Sequence, residues 1–296
     1  MKRETPLFEG AATAIITPLT DKGVDYKQFE RLITWQIDSG IDAIVVCGTT
    51  GEGSTLTDAE HRKAIEFTVK TASGAVPIIA GTGSNETDYA IDLTRFSSRV
   101  GADAVLVVTP YYNKATQNGL VKMYNVIADN SNVPVIVYNV PSRTGINIEP
   151  STYVKLAEHP MITAVKEANG NLSKIVETFA LAGDKLDIYS GNDDQIVPVL
   201  SMGGKGVISV LSNLLPKETS NLCKAYMNGN GAEAAKLQCH YLDLINALFC
   251  EVNPIPVKAA MSLMGYCENY LRLPLTTMED DHFAVLKASM EKHGII

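Results

Sequence analysis

A single lysine, Lys166, ends an apolar run at residues 162–166 and is the first candidate for chemistry. If its side chain snorkels to solvent, it is an ordinary surface lysine. If its stem lies inside a core, burial disfavours the ammonium form and lowers the pKa of the amine toward about 7–8, where amines act as nucleophiles. A neutral amine attacks a ketone and forms a Schiff base. Both fates of Lys166 are open on this pattern alone.

Hydroxyl side chains stand near the ends of three other apolar runs. Thr49 and Thr50 lie in a glycine-rich turn, and Tyr112 and Tyr138 each lie near a strand end. Backbone N–H groups and hydroxyls in such a turn suit a small carboxylate, although an ordinary βα loop has the same composition. Tyrosine rings can simply cap a core, but a phenol also passes protons when a threonine hydroxyl is within reach. Thr49, Tyr112 and Tyr138 could therefore form a proton relay.

Other catalytic chemistries lack their motifs. The five histidines are scattered, and the chain contains no HxxxH, HExxH, GxSxG or Walker loop. The turn at residues 81–85 lacks the third glycine of a dinucleotide fingerprint. The seventh apolar run is followed by Asp193 and Asp194 rather than by lysine or arginine, which disfavours a sugar-phosphate substrate. The sequence predicts neither a metal nor a cofactor.

A repeated pattern positions these candidates, because each β-branched apolar run is followed by an amphipathic stretch. The eight runs lie at residues 12–17, 43–47, 77–81, 104–109, 134–139, 162–166, 186–190 and 206–210. The order Thr57 to Glu60 predicts a capping box that begins the second helix. Eight such units are typical of a (β/α)8 TIM barrel in the α/β class, with a doubly wound sheet as the alternative. The barrel is favoured because unusual residues follow many strands rather than one switch point.

The chain turns wholly helical after Pro216. Apolar residues recur three and four apart through residues 218–228, 232–249, 256–264 and 281–292. This tail is longer than one closing helix. We therefore expect residues 1–216 to form the barrel that carries the active site, and residues 217–296 to form a C-terminal helical region packed on it.

Composition excludes several classes of partner. The formal net charge of -8 and the absence of a basic cluster argue against nucleic acid. No apolar stretch approaches the roughly 18 residues of a membrane span, and the first ten residues do not develop a signal-type apolar run. Five scattered cysteines favour reduced thiols over a disulfide framework. A cytoplasmic location is expected.

Seven motifs, in order and at βα spacing, resemble those of the dihydrodipicolinate synthase family of pyruvate-dependent Schiff-base aldolases. The resemblance runs from about residue 8 to the C-terminus. Its carriers are GTTGE at 48–52, TPYYN at 109–113, YNVPSRTG at 138–145, VKEA at 165–168, SGND at 190–193, GVISV at 206–210 and NPIPVK at 253–258. The family resemblance implies a (β/α)8 barrel without a cofactor.

The resemblance also implies catalytic roles. Lys166 corresponds to the family's Schiff-base lysine, and Tyr138 to its proton donor and acceptor. Thr49 and Tyr112 correspond to the rest of the proton relay. The Tyr112 position reaches across a dimer interface in the family, which implies at least a dimer and usually a homotetramer.

Further matched positions concern the two substrates. Thr50 and Ile208 correspond to pyruvate contacts, and Gly191 lines the site. Arg143 corresponds to the arginine that binds the carboxylate of L-aspartate 4-semialdehyde, which a guanidinium can do bidentately. The implied reaction proceeds through an imine at Lys166 and an enamine to addition on the aldehyde, ring closure and loss of water. The product is 4-hydroxy-tetrahydrodipicolinate, on the diaminopimelate route to lysine.

Two departures from the family pattern stand out. Lys114 replaces a frequent arginine after the PYYN motif. Among the family positions for the inhibitor lysine, His61, Asn85 and Tyr111 fit a lysine-responsive enzyme, whereas Asp58 and Tyr89 replace a histidine and an acidic residue. Feedback inhibition is left open.

Two alternative functions remain in view. A sibling aldolase would cleave N-acetylneuraminate or a 2-keto-3-deoxy sugar acid, and Arg143 argues against it. A non-catalytic barrel would only bind a keto acid, and binding needs no proton relay. The joint presence of Lys166, Tyr138, Tyr112 and Thr49 therefore favours an enzyme.

Overall fold

The computed structural model describes residues 5–296, and within them eight parallel strands close into a barrel. The strand β1 pairs with β8 on one side and with β2 on the other, so the sheet has no free edge. This confirms the predicted barrel over an open sheet. The strands are β1 (Gly10–Ala14), β2 (Ala43–Val46), β3 (Ile78–Gly81), β4 (Ala104–Val108), β5 (Val135–Asn139), β6 (Ile162–Glu167), β7 (Asp187–Ser190) and β8 (Gly206–Ser209).

Each strand leads to a helix that packs on the outside of the barrel. A short antiparallel pair, Leu19–Thr20 with Gly23–Val24, precedes α1, and a helical turn, Pro141–Thr144, precedes α5. The helices are α1 (Tyr26–Asp38), α2 (Asp58–Ala72), α3 (Thr87–Val100), α4 (Gln117–Asp129), α5 (Pro150–Leu156), α6 (Leu172–Ala182), α7 (Ile196–Ser201) and α8 (Pro216–Met227).

The second helix begins as the sequence predicts. The Thr57 hydroxyl accepts a hydrogen bond from the backbone N–H of Glu60 at 3.3 Å. In return, the Glu60 carboxylate accepts one from the Thr57 N–H at 2.9 Å. This reciprocal capping box satisfies two N–H groups that the first helical turn leaves unpaired. It defines where the loop after β2 ends.

Two apolar layers explain why the strand sequences do not alternate. One layer fills the barrel interior with small and branched side chains such as Ala12, Val45 and Ile136. The other lies between the strands and the surrounding helices. Strands buried on both faces are apolar throughout. At Gly206 the strands β1 and β8 approach so closely that a Cβ would clash with the Gly10 carbonyl oxygen.

Four helices make up the rest of the C-terminal region: α9 (Gly231–His240), α10 (Leu242–Leu248), α11 (Ile255–Leu263) and α12 (Asp280–Lys292). The predicted helix at residues 232–249 is wrong in one respect, because it is broken at Tyr241. The Tyr241 ring packs on His293 near the end of α12, a long-range contact that local periodicity does not reveal. The division of the chain at residues 216/217 stays a prediction.

Among the described residues, no helix combines the length and apolarity needed to cross a membrane.

Candidate active site

Lys166 and Tyr138 lie side by side inside the barrel. They are register partners on the paired strands β6 and β5. Side chains alternate between the two faces of a strand, so register partners share a face, here the inner one. The Lys166 Nζ lies 4.4 Å from the centroid of the Tyr138 ring, and Lys166 is only 6% exposed. The lysine therefore does not snorkel to solvent.

The barrel interior changes the acidity of Lys166. Burial lowers its pKa from the ordinary 10.5 to about 8, because an ammonium group loses its hydration there. The carboxylate of Asp193 opposes this shift, and the guanidinium of Arg143 adds to it. A substantial fraction of the amine is neutral near physiological pH and can attack a carbonyl carbon.

Tyr138 contacts a second member of the predicted relay. Burial raises the pKa of its phenol, whereas Arg143 and a hydrogen bond with the Thr49 side chain lower it. The phenol is thus linked to a hydroxyl on the neighbouring loop. A hydrogen-bonded pair of hydroxyls can deliver or accept a proton at an atom bound to Lys166.

Tyr112 lies apart from this pair. Its side chain is 93% exposed and it lines neither of the cavities described below. Its φ of 70° lies in the left-handed region, which is uncommon for a residue with a Cβ. Within one chain, the structure brings Thr49 and Tyr138 together and leaves Tyr112 outside.

A cavity of about 180 Å³ opens above Lys166. Thr50, Arg143 and Gly191 line it, together with Thr49 and Tyr138. This volume suits a small keto acid and an aldehyde partner. The backbone of Gly191 approaches Lys166 so closely that a Cβ there would lie 3.2 Å from the lysine Cε.

Ile208 occupies a different place from the other predicted pyruvate contacts. It is fully buried within the barrel interior, in the same apolar cluster as Tyr138. The lining residue from this stretch is Val210 instead. Ile208 does not line either cavity in this structure, so its contact with pyruvate stays a prediction.

Arg143 is positioned by the C-terminal region. It lies in the helical turn Pro141–Thr144, and its Nη2 donates to the Asn253 carbonyl oxygen at 2.8 Å. The Asn253 side chain in turn donates to the Thr50 hydroxyl at 3.0 Å. A guanidinium held at the cavity wall is suited to a substrate carboxylate.

Asp193 is a residue of the site that sequence reasoning used only as an argument against phosphate. It is buried, and its Oδ2 accepts hydrogen bonds from the N–H groups of Val210 and Leu211 at 3.0 and 2.9 Å. Burial raises the pKa of Asp193, and its charge opposes the lowering of the Lys166 pKa. The SGND motif contains Asp193, but only the closed barrel shows its electrostatic effect on Lys166.

A second cavity of about 350 Å³ shares Thr49, Tyr138 and Arg143 with the first. His61 and Tyr111 line it, as does Tyr89, whereas Asn85 does not. The His61 ring is hydrogen-bonded through Nε2 to the Gly81 carbonyl oxygen at 2.8 Å, and burial lowers its pKa. The backbone carbonyl of Asn85 accepts a hydrogen bond from Asn113 at 2.8 Å.

Over residues 5–296, no three His, Cys, Asp or Glu side chains are arranged so that they could hold a metal ion.

Comparisons with known proteins agree with this geometry. The model of the dihydrodipicolinate synthetase family matches residues 7–293. The chain belongs to this family. It is 51% identical over 288 residues to a 4-hydroxy-tetrahydrodipicolinate synthase from Clostridium novyi, with 97% of each chain covered.

Two solved structures of the family are also similar. A chloride-inhibited dihydrodipicolinate synthase from Acinetobacter baumannii, complexed with pyruvate, is 42% identical with a TM-score of 0.95, over 97% of this chain and 99% of that one. A family member from Cyanidioschyzon merolae with lysine bound is 39% identical with a TM-score of 0.95, over 99% and 100%. Because the chain shares its family with these relatives, it is a lyase of the Schiff-base pyruvate aldolase type. The alternative function, that of a sibling sugar-acid aldolase, is disfavoured.

Proposed function

We propose that the chain condenses pyruvate with L-aspartate 4-semialdehyde to give 4-hydroxy-tetrahydrodipicolinate, the first committed step of the diaminopimelate route to lysine. One observation carries the proposal. Lys166, buried and with a pKa of about 8, lies against Tyr138, which is hydrogen-bonded to Thr49. This arrangement combines a nucleophilic amine with a proton donor and acceptor, which Schiff-base chemistry requires.

The first half of the reaction activates pyruvate. The neutral amine of Lys166 attacks C2 of pyruvate, and the carbinolamine loses one water to give an imine. The carboxylate of pyruvate lies against the loop of Thr49 and Thr50. The imine then loses a proton from the pyruvate methyl group to the hydroxyl pair of Tyr138 and Thr49, and an enamine results.

The second half joins the two substrates. The enamine carbon attacks the aldehyde carbon while Tyr138 returns a proton to the aldehyde oxygen. Arg143 binds the carboxylate of the semialdehyde during this step. The amino group of the semialdehyde next attacks the imine carbon and releases Lys166 as the free amine. One water is lost overall, at imine formation, and the ring retains the new hydroxyl.

A coupled assay tests the proposed reaction. Pyruvate and L-aspartate 4-semialdehyde are supplied with added dihydrodipicolinate reductase, and consumption of reduced nicotinamide is followed. Turnover that needs both substrates is expected. If pyruvate is trapped on the protein but the semialdehyde is not consumed, the Schiff-base chemistry stands and the assigned aldehyde is wrong.

Borohydride trapping tests the nucleophile separately. Reduction in the presence of pyruvate should add one reduced pyruvate to Lys166, as located by mass spectrometry of peptides. Lys258 is an internal control, because it is also fully buried but is paired with Glu52. Labelling at Lys258 or at a surface lysine instead would contradict the assignment.

We also propose a homotetramer. Tyr112 is exposed in one chain, and the outer face of α6 exposes Leu172, Val176 and Leu181. Exposed apolar side chains clustered on one helix are typical of association sites. Sedimentation should show a tetramer for the parent and a smaller species for Val176→Glu, whereas Val285→Glu on α12, another exposed valine, should leave the assembly intact.

A cytoplasmic location belongs to the same proposal. All five cysteines are free, and free thiols persist in reducing compartments.

The larger cavity is proposed as a site for lysine as an effector, formed by His61 and Tyr111 with Asn85 nearby. Addition of lysine should inhibit turnover and raise the melting temperature of the parent. Tyr111→Ala should abolish both effects. If lysine leaves the parent unchanged, the departures at Asp58 and Tyr89 have removed the response.

A further inference from the structure

The loop after β2, residues 47–53, is held from outside the barrel by the C-terminal region. The groups that hold it come from positions about 200 residues further along the chain. Asn253 donates to Thr50, Lys258 pairs with Glu52, and the backbone N–H of Arg272 donates to Glu52 Oε2 at 3.2 Å. The loop carries Thr49, so these contacts lie directly behind the reacting groups.

The backbone of this loop is strained at both ends. Cys47 and Glu52 have φ values of 56° and 54°, in the left-handed region that residues with a Cβ rarely adopt. Strained residues persist when the surrounding structure holds them in place. The Glu52 N–H donates to the Thr49 carbonyl oxygen at 3.1 Å, so the conformation of Glu52 is coupled directly to Thr49.

The ion pair of Glu52 and Lys258 is fully buried on both sides. Taking two charges out of water is unfavourable, and such a pair often stabilises a fold no better than apolar residues of equal size. What the pair provides is a defined geometry, since Glu52 can satisfy both carboxylate oxygens only with its chain folded back against α11. One oxygen binds Lys258 and the other binds the N–H of Arg272.

Asn253 connects the two substrate-binding ends of the cavity. Its side-chain amide donates to the Thr50 hydroxyl at 3.0 Å, and its backbone carbonyl accepts from Arg143 at 2.8 Å. Asn253 is buried and lines the catalytic cavity. The side chain therefore acts on the pyruvate end, whereas the main chain acts on the semialdehyde end.

We propose that Lys258 and Asn253 are positioning residues for pyruvate binding. Lys258 acts through Glu52 on the backbone of Thr49, and Asn253 acts through the hydroxyl of Thr50. The inference rests on the proposed function, since pyruvate is the ligand that the loop receives. It assigns to the C-terminal region a direct part in the chemistry of the barrel.

The ion pair is tested with a variant that removes both charges, Glu52→Gln with Lys258→Met. Lys258→Met alone would leave the buried carboxylate without its counter-ion and strongly destabilise the chain, whereas the double variant has no unpaired charge. We expect the double variant to melt near the parent but to need about tenfold more pyruvate for half-maximal borohydride trapping at Lys166, a loss of about 1.4 kcal/mol. Parental half-saturation in a folded double variant would show that the pair is only structural.

Asn253 is tested with a double-mutant cycle, which decides the role of Asn253 whether or not the charge-free pair folds. Asn253→Ala should raise the half-saturating pyruvate concentration about threefold to tenfold, the usual effect of losing one hydrogen bond. In a Thr50→Val background the same change should have no further effect, because the hydroxyl through which it acts is absent. Independent, additive effects would overturn the inference.

Two further measurements distinguish a positioning role of Asn253 from a general loss of structure. The KM for the semialdehyde should change less than about twofold in Asn253→Ala, because the backbone carbonyl still accepts from Arg143. Asn246→Ala, at an exposed asparagine of α10, should leave both constants unchanged. No trapped pyruvate in the parent would contradict the proposed function, whereas trapping with equal half-saturation in parent and variants would contradict this inference alone.

Discussion

At the scale of single residues, burial makes Lys166 reactive. The same side chain at the surface would be protonated at neutral pH and chemically inert. Inside the barrel, the ammonium form loses hydration and the Asp193 carboxylate only partly compensates for that loss. The neighbouring Tyr138 shows the matching effect on an acid, since burial raises its pKa and keeps the phenol protonated.

The pH dependence of imine formation follows from this shift. Only the neutral amine reacts, so the rate of imine formation with pyruvate should rise as the pH rises through about 8 and level off above it. Stopped-flow measurement of imine formation with pyruvate alone, without the semialdehyde, gives this rate. A rate that continues to rise toward pH 10.5, the value of an ordinary lysine, would show that Lys166 is not desolvated in solution.

Removal of the Tyr138 hydroxyl tests the proton relay. Tyr138→Phe should lower kcat by about 10²–10⁴, the usual contribution of a positioned acid or base. Trapping of pyruvate at Lys166 should persist, because the amine is still present. The control is Tyr226→Phe, at a half-buried tyrosine of α8 that lines neither of the two cavities. A kcat within threefold of the parent in Tyr138→Phe would reject the relay.

Arg143 is expected to bind the second substrate. Arg143→Ala should raise the KM for the semialdehyde. The increase should correspond to a loss of about 1.5–3 kcal/mol of binding free energy, as expected when a charged hydrogen bond is lost. Steady-state kinetics with each substrate varied in turn measures the effect. An unchanged KM for the semialdehyde would mean that its carboxylate binds elsewhere.

At the scale of elements, both faces of the strands β5 and β6 contribute to the position of the catalytic pair. Tyr138 and Lys166 face inward, and the next register pair, Asn139 and Glu167, faces outward. There Glu167 accepts hydrogen bonds from Asn139 at 2.9 Å and from the Tyr153 hydroxyl of α5 at 2.7 Å. A slip of one residue would reverse both faces, so the outer pair helps to keep the inner pair in register.

The buried carboxyl of Glu167 should also make the free energy of unfolding depend on pH. Burial raises its pKa from 4.5 to about 7. The folded state therefore binds this proton more tightly than the unfolded state, and the contribution of Glu167 to stability is lost as the pH rises from about 4.5 through 7. Glu167→Gln should flatten the fall in the free energy of unfolding across this window, as measured with urea at pH 5 and pH 7.5.

A specific result would contradict this assignment. If Glu167→Gln and the parent lose stability equally between pH 5 and pH 7.5, Glu167 is ionised in the fold at both values. Glu177→Gln, at a surface carboxylate of α6, is the matched control and should leave the profile unchanged.

At the scale of the whole molecule, we propose that Tyr112 of a second chain completes the relay. Tyr112 is exposed, whereas Tyr138 and Thr49 are hydrogen-bonded inside the barrel. Intersubunit complementation follows if Tyr112 acts in a neighbouring copy. Tyr112→Phe and Tyr138→Phe chains, each nearly inactive alone, should together form hybrid dimers with one intact site.

Coexpression of the two variants with different tags gives this measurement. With random pairing, half of the dimers are hybrids, and each has one working site in two, so about a quarter of the parental activity should return. Purification through both tags removes assemblies that contain only one variant and should raise this fraction. If mixing restores no activity, Tyr112 acts within its own chain or has no part in the relay.

Much of the architecture follows from short-range patterns. Apolar runs followed by amphipathic stretches predicted all eight strands, and the structure confirms the closed barrel. The prediction was less accurate where long-range packing decides. The strand β1 begins two residues earlier than predicted, because Gly10 pairs with Gly206, and Ile15 and Ile16 beyond its end are buried without being strand.

The sequence by itself determined the barrel and the placement of Lys166, Tyr138 and Arg143 at the carboxyl ends of its strands or just beyond them. These follow from short continuous apolar runs and from apolar residues that recur three and four apart between them, which are local properties of the chain. Only the tertiary structure decided which side chains meet. The hydrogen bond of Tyr138 with Thr49, the burial of Ile208 in the barrel interior and the contact of Asn253 with Thr50 depend on closure of the barrel and on contacts across as many as 203 positions. Burial, and with it the acidity of Lys166, exists only once those distant segments have packed.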